Sequence, residues 1–224
     1  MSHKLSIKAV VFDLDGTILD TFEHIVQAFE LVLPRFDVHV EREAIRAVIG
    51  KTLHECYATF VPASLVVEAA KLHHQTQQSP EMYALITAYD GLLDCLDNLK
   101  ALGYKVAVLT NRSRNSVDLI FSHMKLENIF DVVVTADESP APKPDPRSVK
   151  RLSAELSLRP SELLMVGDTH IDVTTAINAG MAASVGVTHG FGEEQELRAA
   201  GADYIVHSLG ALPDILKGTT LHEV

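Results

Sequence analysis

The chain has 224 residues, about one and a half times a ~150-residue domain, so one large domain or a core with a smaller insertion fits and a string of modules does not. Its 47% hydrophobic and 22% charged residues exclude a disordered chain. Thirty Asp and Glu against nineteen Lys and Arg give a formal charge of −11, a field that excludes a nucleic-acid groove or an anionic membrane surface as main partner and suits small cations.

Met1-Ser2-His3-Lys4 leads directly into an apolar run, Ile7 to Phe12, with none of the apolar stretch expected of a secretory leader. No segment approaches 18 apolar residues, and the two cysteines, Cys56 and Cys95, fall in helical apolar patterns. The expectation is a cytoplasmic protein with reduced core thiols. Ala9 to Phe12 reads as the first strand, and it runs out into Asp13-Leu14-Asp15-Gly16-Thr17. Residues i and i+2 of an extended chain share a side, so Asp13 and Asp15 point the same way, and Gly16 sits where the backbone must turn.

The period then changes. Phe22, Ile25, Val26, Phe29, Val32 and Leu33 make a helical stripe stopped by Pro34; Ile45, Val48 and Ile49 make a second that ends at Gly50. A third stripe, Leu53, Cys56, Tyr57 and Phe60, follows a capping box of Thr52 with Glu55. Leu65, Val66, Ala69, Ala70 and Leu72 lead on to Ser79-Pro80-Glu81, an N-cap with proline at the first helical position. No strand is expected between residues 20 and 88. His24, His73 and His74 are placed on solvated faces, and Asp20 either anchors the hinge or caps the first helix. The expected organisation is an all-helical domain at 18–88 inserted into an α/β core made of 1–17 and 89–224, with hinges near 17–20 and 88–91.

From residue 91 onward strands and helices alternate. Val106 to Leu109, Val132 to Val134, Leu163 to Val166, Ala183 to Val187 and Tyr204 to Val206 read as strands, with helical stripes such as Leu92, Leu93, Leu96, Leu99 and Val117, Ile120, Phe121, Met124 between them. With the first strand this predicts an α/β fold: a doubly wound, mostly parallel Rossmann-like sheet with helices on both faces. Arg112 and Arg114 either reach an anionic substrate or begin a helix, His170 lies at a strand end, and Glu193-Glu194-Gln195-Glu196 marks a solvated helix start.

Ligands of parallel sheets bind beyond the carboxyl ends of the strands. There the sequence delivers Thr110-Asn111, Gly167-Asp168 with Asp172 four residues on, and Lys143 within Ala141-Pro142-Lys143-Pro144-Asp145-Pro146, so these converge with Asp13 and Asp15. Two like charges ~5 Å apart repel by about 3 kcal/mol at an effective dielectric of 20, so four carboxylates call for a cation. Donors that are all oxygen favour a hard one, above all Mg²⁺. Lys143 and the Thr110 hydroxyl complete a pocket for a phosphoryl group.

Asp13-x-Asp15-Gly16-Thr17, Thr110-Asn111, Lys143-Pro144 and Gly167-Asp168-x-x-x-Asp172, in that order, resemble the haloacid dehalogenase superfamily of phosphohydrolases over essentially the whole chain, and the helical insert resembles that superfamily's cap. The resemblance implies that Asp13 is the nucleophile, forming an aspartyl phosphate, and that Asp15 is the acid and then the base. Thr110 and Asn111 would bind phosphate, and Lys143 would stabilise charge. Mg²⁺ would be held by the Asp13 carboxylate, the Asp15 main-chain carbonyl and Asp168, with Asp172 in support. Similarity to the phosphoglycolate phosphatase branch puts 2-phosphoglycolate first as substrate; inorganic pyrophosphate and sugar phosphates, in a phosphatase or a mutase, are the alternatives. A rival of another class, a non-enzymatic phospho-acceptor module, has no need of the insert or of Asp15. The break at Gly50-Lys51 is either a helix C-cap with a cation placed beside the helix end, or a loop that reaches into the core and reads the leaving group, with Arg46 and His170 next in line. The expected partner is a small phosphorylated metabolite, with no nucleic acid and no membrane, and the chain is expected to be a monomer or homodimer.

Overall fold

The computed structural model describes residues 6–217, so the expectation for Met1 to Lys4 concerns residues outside it. In chain order the elements are β1 (Ala9–Phe12), β2 (Leu19–Asp20), α1 (Phe22–Val32), α2 (Arg42–Arg46), α3 (Leu53–Phe60), α4 (Val66–Gln77), α5 (Pro80–Tyr83), β3 (Thr87–Ala88), α6 (Leu92–Ala101) and β4 (Lys105–Leu109). They continue with α7 (Arg114–Met124), β5 (Val132–Val134), α8 (Arg147–Leu156), β6 (Leu163–Gly167), α9 (His170–Ala179), β7 (Ala183–Val187), α10 (Glu194–Ala199), β8 (Tyr204–Val206) and α11 (Leu212–Leu216). Six strands form one sheet in the order β5-β4-β1-β6-β7-β8, every pair parallel.

The sheet's alternation decides which helices cover which face. Val10 and Phe12 point to one side, where Leu92, Leu96 and Leu99 of α6, Val117 and Ile120 of α7 and Leu212 of α11 enclose them. Ala9 and Val11 point to the other, against Val149 and Leu152 of α8 and Ala176 of α9. With both faces covered, the central strand β1 is wholly buried, which is why it reads as an unbroken apolar run. Free thiols Cys56 and Cys95 are buried, as their patterns suggest.

Between β2 and β3 the helices α1 to α5 gather around their own apolar cluster, which includes Val26, Phe29, Ile45, Tyr57 and Ala69. The capping box at Thr52 and Glu55 and the Ser79 cap before Pro80 both form. Asp20 accepts a hydrogen bond from the Phe22 N–H at 3.1 Å, so its carboxylate serves the start of α1.

Two expectations are corrected here. A strand pair does occur in the segment read as strand-free: β2 and β3 are antiparallel, with Leu19 opposite Ala88 and Asp20 opposite Thr87. Strands of two residues carry no period to read, and they pair only because the chain leaves and re-enters the core at adjacent points. His24 and His73, expected on solvated faces, are buried at 1% and 2% exposure. The His24 Nδ1–H donates to the Met82 carbonyl at 2.9 Å, and Nδ1 of His73 lies 3.0 Å from the Tyr57 hydroxyl, with its ring 4.6 Å from that of Phe29. His74 is half-buried. Both buried histidines lie on helix faces packed within the insert, so a polar residue type does not by itself mark a solvent face there.

Burial holds both rings neutral: it drives His24 from 6.5 down to about 4 and His73 well below its ordinary value. The unfolded chain therefore takes up these protons first as pH falls, so the stability they confer is complete above pH 6.5 and is lost as the pH drops toward 4. Urea unfolding at stepped pH should show that decline, and the doubly substituted His24→Gln, His73→Gln protein should show a shallower one.

Candidate active site

Strands β4, β1 and β6 are neighbours, so the residues that follow them emerge side by side at one edge of the sheet. The Asp13 N–H still donates to the Val166 carbonyl at 2.9 Å and the Thr110 N–H to the Val134 carbonyl at 3.1 Å, which extends the ladder to the site itself. Asp13 Oδ1 accepts from the Leu14 N–H at 2.7 Å and from Lys143 Nζ at 2.8 Å. Its Oδ2 makes no hydrogen bond among the described residues.

Lys143 reaches the site because Asn111 holds its backbone. The Asn111 amide accepts from the Lys143 N–H at 2.8 Å and donates to the Lys143 carbonyl at 3.1 Å. Nζ then bridges Asp13 and Asp172, the latter at 2.6 Å. Asp172 Oδ2 accepts from the N–H and hydroxyl of Thr169 at 3.1 and 2.9 Å, the capping box that opens α9. Asp168 is fully buried; its oxygens accept from the Thr17 hydroxyl at 3.0 Å and from the Phe191 N–H at 2.7 Å.

Oxygens of Asp13, Asp168 and Asp172 lie within 4.8 Å of one another. Three buried carboxylates thus face one buried ammonium. Burial pushes Asp13 up to about 7 against the pull of Lys143, and burial with Asp172 and Asp13 holds Asp168 well above the usual range. Burial works against the charge on Lys143, but Asp13 and Asp172 overcome it and raise its pKa. This surplus of negative charge, presented only through oxygen atoms, fits a hard cation.

Asp15 sits apart from the triad. Its oxygens accept from Arg112 Nε at 2.8 and 2.7 Å, and Oδ1 also accepts from the Thr21 hydroxyl at 2.6 Å. Burial opposes its charge, yet Arg112 and Thr21 outweigh burial and lower its pKa. The Asp15 carboxylate is therefore taken up by Arg112 and Thr21 and is not among the three acids whose oxygens cluster, so its main-chain carbonyl is the part expected to serve a metal.

The turn after β1 requires glycine. Gly16 has φ +75°, and a Cβ there would lie 2.2 Å from Asp168 Oδ2; a Cβ on Gly190 would lie 2.3 Å from the Gly16 carbonyl oxygen. Above the turn a cavity of about 440 Å³ is floored by Asp13, Asp15 and Thr110 and roofed from the insert by Phe29, Ile49 and Lys51.

Asp13, Asp15, Thr110, Asn111, Gly50 and Lys51 all border this cavity, while Lys143, Asp168 and Asp172 lie buried beneath it. Gly50 touches the core directly, its carbonyl accepting from Asn111 Nδ2 at 2.8 Å; Lys51 is exposed at the rim. His170 is exposed and borders no part of the cavity. Arg46 donates to the Phe191 carbonyl at 3.2 Å and lies 4.3 Å from the Phe22 ring centre, which makes it a packing residue. Arg114 begins α7 and pairs with Glu138 and Asp118.

The sequence reading missed the Arg112–Asp15 pair, the hydroxyls of Thr17, Thr21 and Thr169, and the loop after β7. A signal for the loop was present: His189-Gly190-Phe191-Gly192 follows a fourth strand at the same edge of the sheet, with two glycines around one aromatic.

A parallel sheet thus carries a buried cluster of Asp and Lys and a roofed cavity at its carboxyl edge. Residues 10–186 match the family described as haloacid dehalogenase-like hydrolase, and the chain belongs to that family. Among its relatives, pyrophosphatase PpaX of Bacillus mycoides (strain KBAB4) is 32% identical over 214 residues, 95% of this chain and 98% of the relative. The PpaX of Bacillus velezensis is 31% identical over 92% of this chain and 94% of its own. In structure, a predicted phosphatase from Clostridium acetobutylicum is 27% identical with a TM-score of 0.84, over 94% of this chain and 98% of that one. A predicted phosphoglycolate phosphatase from Haemophilus somnus shares the fold at 22% identity, with a TM-score of 0.82 and the same two coverages.

Gly16→Ala should destabilise the protein by more than about 1 kcal/mol, because alanine is strained at this φ and its methyl group collides with Asp168. Urea denaturation checks the loss, and a midpoint equal to that of the parent would contradict the close approach.

Proposed function

We propose that the protein is a Mg²⁺-dependent phosphatase that works through an aspartyl phosphate on Asp13, with residues 18–88 as a cap domain over a core of 1–17 and 89–224. The observation that carries this reading is Asp13 Oδ2, unbonded among the described residues at the cavity floor, while Oδ1 is fixed by Lys143 and Leu14. A nucleophile needs one oriented and one free oxygen.

Asp13, Asp168 and the Asp15 main-chain carbonyl would hold the ion, with Asp172 in support. Mg²⁺ supplies charge that keeps the Asp13 carboxylate ionised and screens it from the approaching phosphoryl dianion. Asp13 Oδ2 attacks phosphorus as the bond from phosphorus to the leaving oxygen breaks, and Asp15 gives that oxygen its proton. Asp15 then takes a proton from water, whose oxygen attacks phosphorus and returns the electron pair of the ester bond to Asp13. Thr110 binds phosphoryl oxygens, and Lys143 offsets charge on Asp13 and the transferring group. Asn111 keeps Lys143 in place and, through the Gly50 carbonyl, ties the roof to the floor.

Inorganic pyrophosphate is the substrate best supported, since the relatives that match nearly end to end are named pyrophosphatases. For 2-phosphoglycolate, placed first by the sequence, the support is the resemblance alone, and it stands second. The partner is a small phosphorylated metabolite, in a cytoplasmic protein that is a monomer or homodimer; no helix among the described residues is long and apolar enough to cross a membrane.

Asp13→Asn should lower kcat on pyrophosphate by far more than tenfold with the fold intact by circular dichroism, because the amide cannot attack. Retention of a tenth of the parent rate, a loss of only ~1.4 kcal/mol in barrier, would remove Asp13 from the role. Excess chelator should stop turnover and added Mg²⁺ restore it, while Asp168→Ala should weaken Mg²⁺ binding measured by calorimetry. Undiminished turnover in chelator would reject the metal dependence.

A further inference from the structure

The leaving group of this reaction must be read at the cavity, away from the triad, and the cations there are not equivalent. Lys143 lies beneath, spent on Asp13 and Asp172. Lys51 is an exposed side chain at the rim, and the buried ring of His73 is kept neutral. Arg112 is different: it borders the cavity with a side chain only 11% exposed, and it follows two residues after Thr110 at the end of β4.

Its five N–H donors are divided in a specific way. The single Nε–H is shared between the two oxygens of Asp15, and Nη1 gives one N–H to the Ser116 hydroxyl at 2.9 Å. Nη2 makes no hydrogen bond among the described residues and is not a sealed, orphaned atom. One N–H of Nη1 and both of Nη2 are thus without a partner among the described residues, on a side chain that borders the cavity. A guanidinium gripped along its Nε edge, with its terminal edge open, is a preorganised fork for an oxyanion. The grip also fixes where that anion lies: beside Asp15, the group that handles the proton of the leaving oxygen.

Resting on the phosphatase reading above, we propose that Arg112 is the specificity-determining residue of this enzyme, taking the oxyanion of the leaving group on its free Nη edge while Nε stays on Asp15. The substrate class is then a phosphoryl donor whose leaving group carries its own negative charge. A second phosphate or a carboxylate one carbon away supplies that chemistry, and inorganic pyrophosphate and 2-phosphoglycolate represent the two. An ester such as p-nitrophenyl phosphate has no charge to place there. This assigns the reading of the leaving group to the core strand β4 rather than to Lys51 of the insert.

The test compares kcat/KM of the parent, Arg112→Gln and Arg112→Lys on pyrophosphate, 2-phosphoglycolate and p-nitrophenyl phosphate. In Arg112→Gln the loss on pyrophosphate should exceed the loss on p-nitrophenyl phosphate by at least tenfold, and the excess should appear mainly in KM. Arg112→Lys should recover part of that excess, since it restores charge without the fork. If 2-phosphoglycolate is affected as strongly as pyrophosphate, the edge reads any oxyanion; if only pyrophosphate is, it reads phosphate, and both outcomes support the assignment. Equal losses on all three substrates would show that Arg112 serves Asp15 alone and would overturn it, as would no loss on any. Turnover of p-nitrophenyl phosphate by the variants shows that they are folded. A parent protein inactive on all three substrates would instead reject the phosphatase reading itself.

Discussion

Three buried carboxylates share one buried ammonium, and most of the site's local structure is arranged around that imbalance. Lys143 alone cannot neutralise Asp13, Asp168 and Asp172, so each carboxylate is also held by hydrogen bonds from its surroundings: Leu14 N–H for Asp13, Thr17 and Phe191 for Asp168, Thr169 for Asp172. Those donors come from the ends of different strands and loops. The parallel sheet is what brings them to one edge, because its crossovers return every strand in the same direction. Removing any one carboxylate would leave its donors unsatisfied in a dry environment, where an unpaired polar group costs about 1–3 kcal/mol.

The same economy separates the two acids that follow β1. Asp13 is denied full compensation and so is driven up; Asp15, two residues on, is given Arg112 and Thr21 and is driven down. Asp13 and Asp168 would hold a cation whose charge would favour the Asp13 carboxylate, while the Asp15 side chain is taken up by Arg112 and Thr21.

How far the sequence discloses this arrangement follows from the range of the interactions involved. All six strands of the main sheet are visible as apolar runs through local period, and the meeting of Asp13, Lys143, Asp168 and Asp172 at one edge follows from a general property of parallel sheets, whereas the Asp15 side chain, held by Arg112, stands apart from them. The buried His24 and His73 are not visible: their partners, Met82 and Tyr57, are 58 and 16 residues away, and an amphipathic stripe does not reveal a second packed face. The β2–β3 ribbon is too short to have a period. Arg112 is ambiguous in the sequence, since the start of a helix and an ion pair 97 residues away ask for the same residue type.

The loop after β7 extends this theme beyond the family's shared segment. That segment ends at residue 186, yet the Phe191 N–H completes Asp168, the His189 Nε2–H donates to the Thr17 carbonyl at 2.9 Å, and the Phe191 ring is packed into the apolar cluster of the insert. One five-residue stretch, Thr188 to Gly192, therefore touches the acid cluster, the turn after β1 and the insert's interior. Every charged residue of the cluster lies at or before Asp172, and one of the hydrogen bonds to Asp168 comes from Phe191, further along the chain. Divergence in this short aromatic loop would therefore alter how insert and core are coupled without changing any of the four motifs.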